Sequence, residues 1–146
     1  SIHPTSAAIG PALPLAIGAA IGSGKKTAII QGDGGFMLNI GELATAVQYN
    51  VPIIICVFND RGYGVLRAIE GRTFEGRQFG VELATPDFAM VARGMGMPGE
   101  TVSGVKAFHD AFASAVVADG PVLLDIDMDV LTPMAGLGTP PPKAKS

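Results

Sequence analysis

The sequence predicts an α/β domain, built as a doubly wound, mainly parallel sheet with helices on both faces. Two short runs, 27–30 and 53–58, are continuously apolar and rich in β-branched residues. Such runs are typical of parallel strands that are buried on both faces. Segments with a helical period alternate with these runs along the chain. This alternation favours a parallel sheet whose strands are joined by right-handed helical crossovers.

The first half of the chain is expected to contain two helix–strand pairs. Residues 9–22 are small and apolar, with an isoleucine or leucine every four positions, which predicts a tightly packed helix. A short strand follows at 27–30. From Phe36 the apolar positions again have a helical period, and this helix is expected to end at 50–52, where a proline lies. The most apolar strand, 53–58, comes next.

The second half is expected to repeat this alternation after an irregular segment. Residues 66–86 show no clear periodicity, and a segment lying over a binding site and a solvated loop are both compatible with them. Asp87 can cap a helix that runs to about Met95. A short strand is expected at 101–102, then a helix from about Ser103 to Gly120, and then a final strand within "PVLLDIDM".

Composition and charge limit the possible functions. The 146 residues are 48% hydrophobic and 16% charged, with a mean hydropathy of +0.40. This is more apolar than a small independent domain needs, so either the sheet is buried on both faces or a surface is reserved for a partner. A net charge of −3 gives no reason to expect nucleic-acid binding.

Nothing in the sequence predicts a membrane protein or a disulfide-bonded one. The apolar stretch near the start is shorter than a membrane span and is interrupted by prolines and glycines. The single Cys56 cannot form an internal disulfide, which favours a reducing compartment, and we expect a cytoplasmic location. We expect one domain over 1–130 and a flexible, proline-rich tail over 131–146, together forming the C-terminal piece of a longer protein.

Two glycine-rich loops follow the two apolar strands. "GDGG" comes after strand 27–30 and supplies Asp33, and "NDRGYG" comes after strand 53–58 and supplies Asn59 or Asp60. If the strands are neighbours, both loops lie at the carboxyl edge of the sheet, where ligands bind in such folds. Oxygen ligands and exposed backbone amides fit a diphosphate held through Mg²⁺. The alternative is that Asp33 only caps a helix and that Asn59-Asp60 is an ordinary turn.

These motifs resemble those of a known family. The segment "GDGGF…ELATAVQYNVPIIICVFND" is similar to the cofactor motif of thiamine-diphosphate-dependent enzymes, and "AAIGPALPLAIGAA" is similar to an upstream segment of that family. The resemblance extends from about Ala7 to Met128. The details "TAVQYNVP" and "YGVLR" resemble the C-terminal, diphosphate-binding domain of benzoylformate decarboxylase and acetolactate synthase.

The resemblance implies a set of cofactor-binding residues. Mg²⁺ would be bound by Asp33, by Asp60, which follows 27 positions later, and by the backbone carbonyl of Gly62. Two diphosphate oxygens and a water would complete its coordination. Ile9 would hold the cofactor in its bent form, and the carbonyl of Ala7 would accept a hydrogen bond from the aminopyrimidine. The remaining contacts implied at the cofactor are Gly32, Gly34, Gly35, Asn59 and Tyr63.

The sequence departs from the family pattern at two of these positions. Asp60 stands where the family has Asn, which adds a negative charge beside the diphosphate; we expect Arg61 to offset part of it. Gly35 stands where relatives often have Ser, so one hydroxyl contact to the phosphate is missing.

The resemblance also implies an activity that this chain cannot complete alone. The family activates its cofactor with a Glu on a separate pyrimidine-binding domain, contributed by a second subunit of a homodimer or homotetramer. Glu42 is not that residue, so no catalytic group is expected here. The main reading is a 2-keto acid decarboxylase of the benzoylformate type. The alternatives are an acetolactate synthase-like carboligase and a non-catalytic cofactor-binding subunit that needs a partner chain.

Overall fold

The structure is a computed structural model that describes residues 8–130 of the chain. The elements, in chain order, are α1 (Ala12–Ser23), β1 (Thr27–Gly32), α2 (Asp33–Met37), α3 (Glu42–Gln48), β2 (Ile53–Asn59), α4 (Gly64–Thr73), α5 (Phe88–Gly94), β3 (Gly99–Val102), α6 (Val105–Val117), β4 (Val122–Asp127) and a 3₁₀ turn (Met128–Val130). The expected tail over 131–146 lies outside the described residues, as does Ala7.

The four strands form one parallel sheet in the order β1-β2-β4-β3. This confirms the predicted fold class. In the register, Gly32 at the end of β1 lies beside Phe58, and Asn59 at the end of β2 lies beside Asp127 of β4. Strands β1 and β2 are therefore neighbours, and the loops that follow them leave the same edge of the sheet.

The continuously apolar sequence of β2 follows from burial on both faces. Ile53, Ile55 and Val57 pack into a core with α1, α3 and α5, while Ile54 and Cys56 pack on the opposite face against α6. On the first face, the rings of Phe36 and Phe88 meet edge to face at 5.2 Å. Each fully buried large side chain contributes about 1.5–3 kcal/mol, so the central strand anchors both layers.

The predicted helix from Phe36 to residue 50 is wrong in its extent, because the structure divides it into α2 and α3. Helix α2 already begins at Asp33, directly after β1. Between the two helices the backbone N–H groups of Asn39, Glu42 and Leu43 bond to carbonyls three residues earlier, which marks tight turns. Asn39 and Gly41 are poor helix formers, which explains the break.

The expectation that 66–86 is irregular is wrong for its first part, since Gly64–Thr73 forms helix α4. No residue of α4, all of which the structure describes, is fully buried. Its larger apolar side chains, Val65, Leu66 and Ile69, are exposed. The apolar residues of α4 therefore do not form a face packed against this core. A helical period in the sequence identifies a helix when its apolar residues share such a packed face.

Helix α1 packs with a narrower face than its sequence predicts. Leu13 and Ile17 are buried, together with two alanines, but Ile21 is 59% exposed, and Ile9 lies before the helix begins. The helix ends at Gly24, whose φ of 66° is left-handed and whose N–H bonds to the carbonyl of Ala20. Among residues 8–130, no helix is long and apolar enough to cross a membrane.

Candidate functional site

The loops after β1 and β2 meet at the carboxyl edge of the sheet. Asp33, the first residue of α2, is 1% exposed, and its Oδ2 accepts a hydrogen bond of 2.9 Å from the backbone N–H of Gly62. Adjacent parallel strands bring their ends to one edge, so a carboxylate from the first loop reaches the backbone of the second. The two sequence motifs are thus joined by a direct contact.

Asp33 is a buried carboxyl group with unused hydrogen-bonding capacity. Its Oδ1 has no hydrogen-bond partner among the described residues. Burial raises the pKa of Asp33, and the nearby charge of Asp60 raises it further. The backbone N–H groups of Gly34 and Gly62 act in the opposite direction and lower this pKa. A buried oxygen without a partner, close to a second carboxylate, is suited to a cation.

Asp60 is held by an arginine other than the one that the sequence indicated. Its Oδ2 lies 3.3 Å from Nη1 of Arg67 on α4. Arg61, expected to offset the charge of Asp60, instead contacts Asp129 and lies 3.7 Å from Asp127. The expectation for Arg61 is therefore wrong, because its side chain points toward the end of β4.

Gly62 occupies a position that has no space for a side chain. A Cβ there would lie 2.1 Å from Nη2 of Arg67 and 2.4 Å from the carbonyl oxygen of Val81. The neighbouring backbone pairs with residues 81–83: Tyr63 N–H bonds to the Val81 carbonyl at 2.8 Å, and Leu83 N–H bonds to the Arg61 carbonyl at 2.9 Å. We call residues 81–83 the brace. The sequence did not predict this pairing, because so few paired residues leave no periodic signal.

The glycines of the first loop are in contact with two other predicted residues. A Cβ on Gly34 would lie 2.5 Å from the ring of Tyr63, and a Cβ on Gly35 would lie 3.4 Å from Cγ2 of Ile9. Ile9 is 59% exposed beside this loop. Gly32 is exposed at the end of β1. The structure therefore places Ile9 and Tyr63 against the glycines of the loop that carries Asp33, and Gly62 in direct contact with the Asp33 carboxylate.

The side chain of Asn59 is engaged within the protein. It is buried, and its Nδ2 donates to Asp125 Oδ1 at 3.1 Å. Its Oδ1 accepts from the N–H of Arg61 and the hydroxyl of Thr85, both at 3.3 Å. The sequence reading did not identify Asp125 or Thr85; the polar Asp125 within the apolar run "PVLLDIDM" is the signal that could have indicated it.

Asp125 is a second buried carboxyl group, and it lies beside a polar pocket of about 270 Å³. Burial raises its pKa, while the hydrogen bonds from Asn59 and from the N–H of Phe88 lower it. The pocket is also lined by Arg61, Thr85 and Asp127. Through its hydrogen bond with Asn59, Asp125 contacts the residue at which the second loop begins.

The donor set fits a hard cation that is shared with phosphate, rather than a metal held by protein alone. Within the described part of the chain, no group of three or more His, Cys, Asp or Glu side chains could hold a metal ion. The loops offer two carboxylates and backbone carbonyls. Mg²⁺ commonly uses one or two carboxylates and completes its shell with substrate phosphates and water.

Other polar or reactive side chains lie elsewhere. His109 is on the exposed surface of α6, next to Asp110. Cys56 is buried in β2, and burial raises the pKa of its thiol to about 11. Glu42 is the first residue of α3. His3 is outside the described residues.

Comparison with known proteins identifies the family. Residues 2–126 match the family described as thiamine pyrophosphate enzyme, C-terminal TPP binding domain. The chain is 34% identical over 139 residues to a probable acetolactate synthase large subunit of Methanococcus aeolicus, covering 94% of this chain and 23% of that protein. It is 33% identical over 122 residues to an acetolactate synthase of Bacillus subtilis, covering 83% of this chain and 21% of that protein.

A solved structure gives the same fold. The thiamine diphosphate-dependent 4-hydroxybenzoylformate decarboxylase of Rhodococcus jostii RHA1 superposes with a TM-score of 0.72 at 32% identity, covering 82% of this chain and 23% of that one. The chain thus spans under a quarter of the length of these relatives. With a match over nearly its whole length, the chain belongs to the family of C-terminal TPP-binding domains of thiamine pyrophosphate enzymes.

Proposed function

We propose that this chain is the diphosphate-binding domain of a Mg²⁺- and thiamine-diphosphate-dependent enzyme that acts on 2-keto acids. The observation that carries this proposal is the contact between the two loops: Asp33 bonds to Gly62 N–H and keeps a second, buried oxygen without a partner beside Asp60. A cation between these carboxylates would relieve their repulsion and would attract a diphosphate.

Each residue has a proposed part in holding the cofactor. Asp33, Asp60 and the carbonyl of Gly62 would bind Mg²⁺. Ile9 would hold the cofactor in its bent form, and the carbonyl of Ala7 would accept a hydrogen bond from the aminopyrimidine. Asn59 would act through the loop, because both ends of its amide are already engaged by the protein. The residues proposed beside the diphosphate are Gly32, Gly34, Gly35 and Tyr63.

Thiamine diphosphate, when bound, supplies a carbon nucleophile that can accept the electrons left by loss of carbon dioxide from a 2-keto acid. The residues of this chain bind and orient it, and the activating Glu would lie on the pyrimidine-binding domain of a second subunit. The exposed apolar side chains of α4, with Phe79 at 94% exposure, are consistent with a surface that contacts such a partner in a homodimer or homotetramer.

For the reaction, the relatives favour carboligation over the decarboxylation that the sequence motifs first suggested. Several acetolactate synthases are 30–34% identical to this chain. An acetolactate synthase-like activity on pyruvate is therefore the first proposal. A 2-keto acid decarboxylase is the second, since the structure of a 4-hydroxybenzoylformate decarboxylase matches over 82% of the chain. A non-catalytic subunit that needs a partner chain is the third.

Cofactor binding is tested by titrating thiamine diphosphate into the chain, with and without Mg²⁺, by calorimetry. We expect binding that requires Mg²⁺ and that Asp33→Ala weakens at least about tenfold, equivalent to about 1.4 kcal/mol. Asp110→Ala is the matched control, because it removes an exposed carboxylate on α6, far from the loops. Binding that is independent of Mg²⁺, or equal in both variants, would contradict the proposal.

The reaction is tested by adding the pyrimidine-binding domain and analysing products. Acetolactate formed from pyruvate supports carboligation, and an aldehyde formed from an aryl-substituted 2-keto acid supports decarboxylation. If the cofactor binds but neither product forms with any pyrimidine-binding domain supplied, the result supports the third proposal, a non-catalytic cofactor-binding subunit.

A further inference from the structure

We infer that Arg67 is a positioning residue whose charge allows Asp60 to serve as a second carboxylate ligand beside an anionic cofactor. This inference rests on the proposed function, because it concerns the same Mg²⁺–diphosphate site. The observations that carry it are the contacts of the Arg67 guanidinium, its burial, and the fit of two glycines around the pair.

Arg67 is largely buried and directs its guanidinium at the second loop. Its side chain is 14% exposed. Nη1 lies 3.3 Å from Asp60 Oδ2, and Nη2 donates to the backbone carbonyl of Asp60 at 3.2 Å. The guanidinium therefore contacts both the charge and the backbone of one proposed ligand.

The same guanidinium also lies against the third proposed ligand. A Cβ on Gly62 would be 2.1 Å from Nη2, so a side chain at this position would displace the guanidinium from its place beside the loop. On the other side, Nε of Arg67 lies 2.8 Å from Glu82 Oε1, within the segment that braces the loop. Arg67 thus connects α4, the brace and the metal-binding loop.

A second glycine gives space to the carboxylate. A Cβ on Gly64, the first residue of α4, would lie 2.1 Å from Asp60 Oδ2. The Asp60 carboxylate thus lies over the start of α4, between Gly64 and the Arg67 side chain one turn further on. The pair is built into the local backbone, unlike a surface ion pair between two long, mobile side chains.

Charge explains why the pair would matter for an anionic cofactor. Ionised Asp33 and Asp60 carry two negative charges, and Arg67, which is shared between Asp60 and the more exposed Glu82, offsets part of them. Removing Arg67 alone would leave a partly buried, uncompensated carboxylate facing a diphosphate, and such a charge is costly. Removing the Asp60 carboxylate as well would remove that cost.

The decisive experiment is a double-mutant cycle on wild type, Arg67→Met, Asp60→Asn and the double variant. The first readout is the affinity for thiamine diphosphate in the presence of Mg²⁺. We expect Arg67→Met to weaken binding at least about tenfold, Asp60→Asn to keep binding near that of wild type, and the double variant to bind like Asp60→Asn. Arg61→Met is the matched control, because it also removes a guanidinium from this region. The Arg61 guanidinium contacts Asp127 and Asp129 rather than Asp60. We expect the effect of this control to be the same in the wild-type and the Asp60→Asn backgrounds.

An equal loss from Arg67→Met in both backgrounds would overturn the inference, because a purely structural arginine is needed whichever residue stands at position 60. The second readout is the unfolding free energy of the four proteins without Mg²⁺ or cofactor. Coupling in unfolding but not in binding would mean a stabilising ion pair only, and would also overturn the inference. A wild-type chain that fails to bind Mg²⁺ and thiamine diphosphate would overturn the proposed function itself, a result distinguishable from either of these.

Discussion

The side-chain amide of Asn59 donates a hydrogen bond of 3.1 Å to Asp125, which ties the end of β2 to β4 beneath the candidate site. The other carboxylate oxygen of Asp125 accepts from the backbone N–H of Phe88 at 3.2 Å, at the start of α5. One buried carboxyl group therefore joins two strands and a helix. Because Asn59 directly precedes Asp60, this bond also fixes the start of the loop that carries Asp60.

Replacing Asp125 by alanine should destabilise the chain strongly. The change leaves two buried donors, Asn59 Nδ2 and Phe88 N–H, without their acceptor, and each unsatisfied donor costs about 1–3 kcal/mol. We expect a loss of about 2 kcal/mol or more in the free energy of unfolding, measured by urea denaturation. Asp127→Ala is the control: its ion pair with Arg61 at 3.7 Å is partly exposed, so its loss should stay below about 1 kcal/mol. Equal losses in the two variants would contradict the buried network.

Asp125 also leads to a prediction about how the stability of the chain depends on pH. Burial raises the pKa of Asp125 in the fold above its ordinary value of 3.8. The folded protein thus holds the proton more tightly than the unfolded chain does, and this contribution to stability is present below pH 3.8 and is lost as pH rises through the raised pKa. The stability of wild type relative to Asp125→Asn should therefore decrease from about pH 4 to pH 7. Urea denaturation at a series of pH values measures this difference, and an increase over that range would contradict the assigned direction.

Gly34 and Gly35 offer a matched pair of substitutions within helix α2. A Cβ at position 34 would lie 2.5 Å from the Tyr63 ring, whereas at position 35 the nearest atom, Ile9 Cγ2, is 3.4 Å away. Replacing glycine by alanine raises the helix propensity by a similar amount at both positions. The difference in stability between the two variants therefore measures the cost of the contact with the Tyr63 ring. We expect Gly34→Ala to be less stable than Gly35→Ala by about 1–3 kcal/mol in thermal or urea unfolding, and to shift the ring of Tyr63. Equal stabilities would mean that Tyr63 can leave Gly34 without cost.

The sequence predicted the parts of the fold in which apolar residues meet this core. The run of β2, the capped helix α5 and the four strands in their order along the chain were predicted correctly, because burial imposes a pattern on each. Asp87 does cap α5, with its carboxylate accepting from Met90 N–H. Helix α4 was missed because its apolar side chains face outward. The break between α2 and α3 was missed because the apolar positions continue their helical spacing across Asn39 and Gly41.

For the candidate site, the sequence predicted the residues but not what holds them. The two strand-end loops indicated Asp33 and Asp60, and sheet geometry does bring these loops into contact. The supports come from other elements of the fold: Arg67 from α4, Val81 from the brace and Asp125 from β4. Contacts of this kind depend on the packed fold, so spacing along the sequence carries no sign of them. Arg61 was assigned to Asp60 for its proximity in sequence, and the chain direction after β2 takes it elsewhere.

Asp33 provides the sharpest separation of stability from function. Burial raises the pKa of its carboxyl group, so the fold disfavours the charged form of Asp33 when no cation is bound. Asp33→Asn removes this charge, and the new amide oxygen can still accept the hydrogen bond from Gly62 N–H. Without Mg²⁺, we therefore expect the variant to be at least as stable as wild type in urea denaturation at pH 7.

Binding should respond in the opposite way. An amide oxygen is a weaker ligand for a hard divalent cation than a carboxylate, so Mg²⁺-dependent binding of thiamine diphosphate should weaken at least about tenfold in Asp33→Asn. Asp110→Asn is the control, since it makes the same chemical change at an exposed position on α6 and should alter neither quantity. A variant that loses stability while keeping full binding would show that the carboxylate serves the fold and that the metal lies elsewhere. We expect Asp33→Asn to keep or gain stability and to lose binding. This is the pattern expected if the buried Asp33 carboxylate is a ligand of the cation.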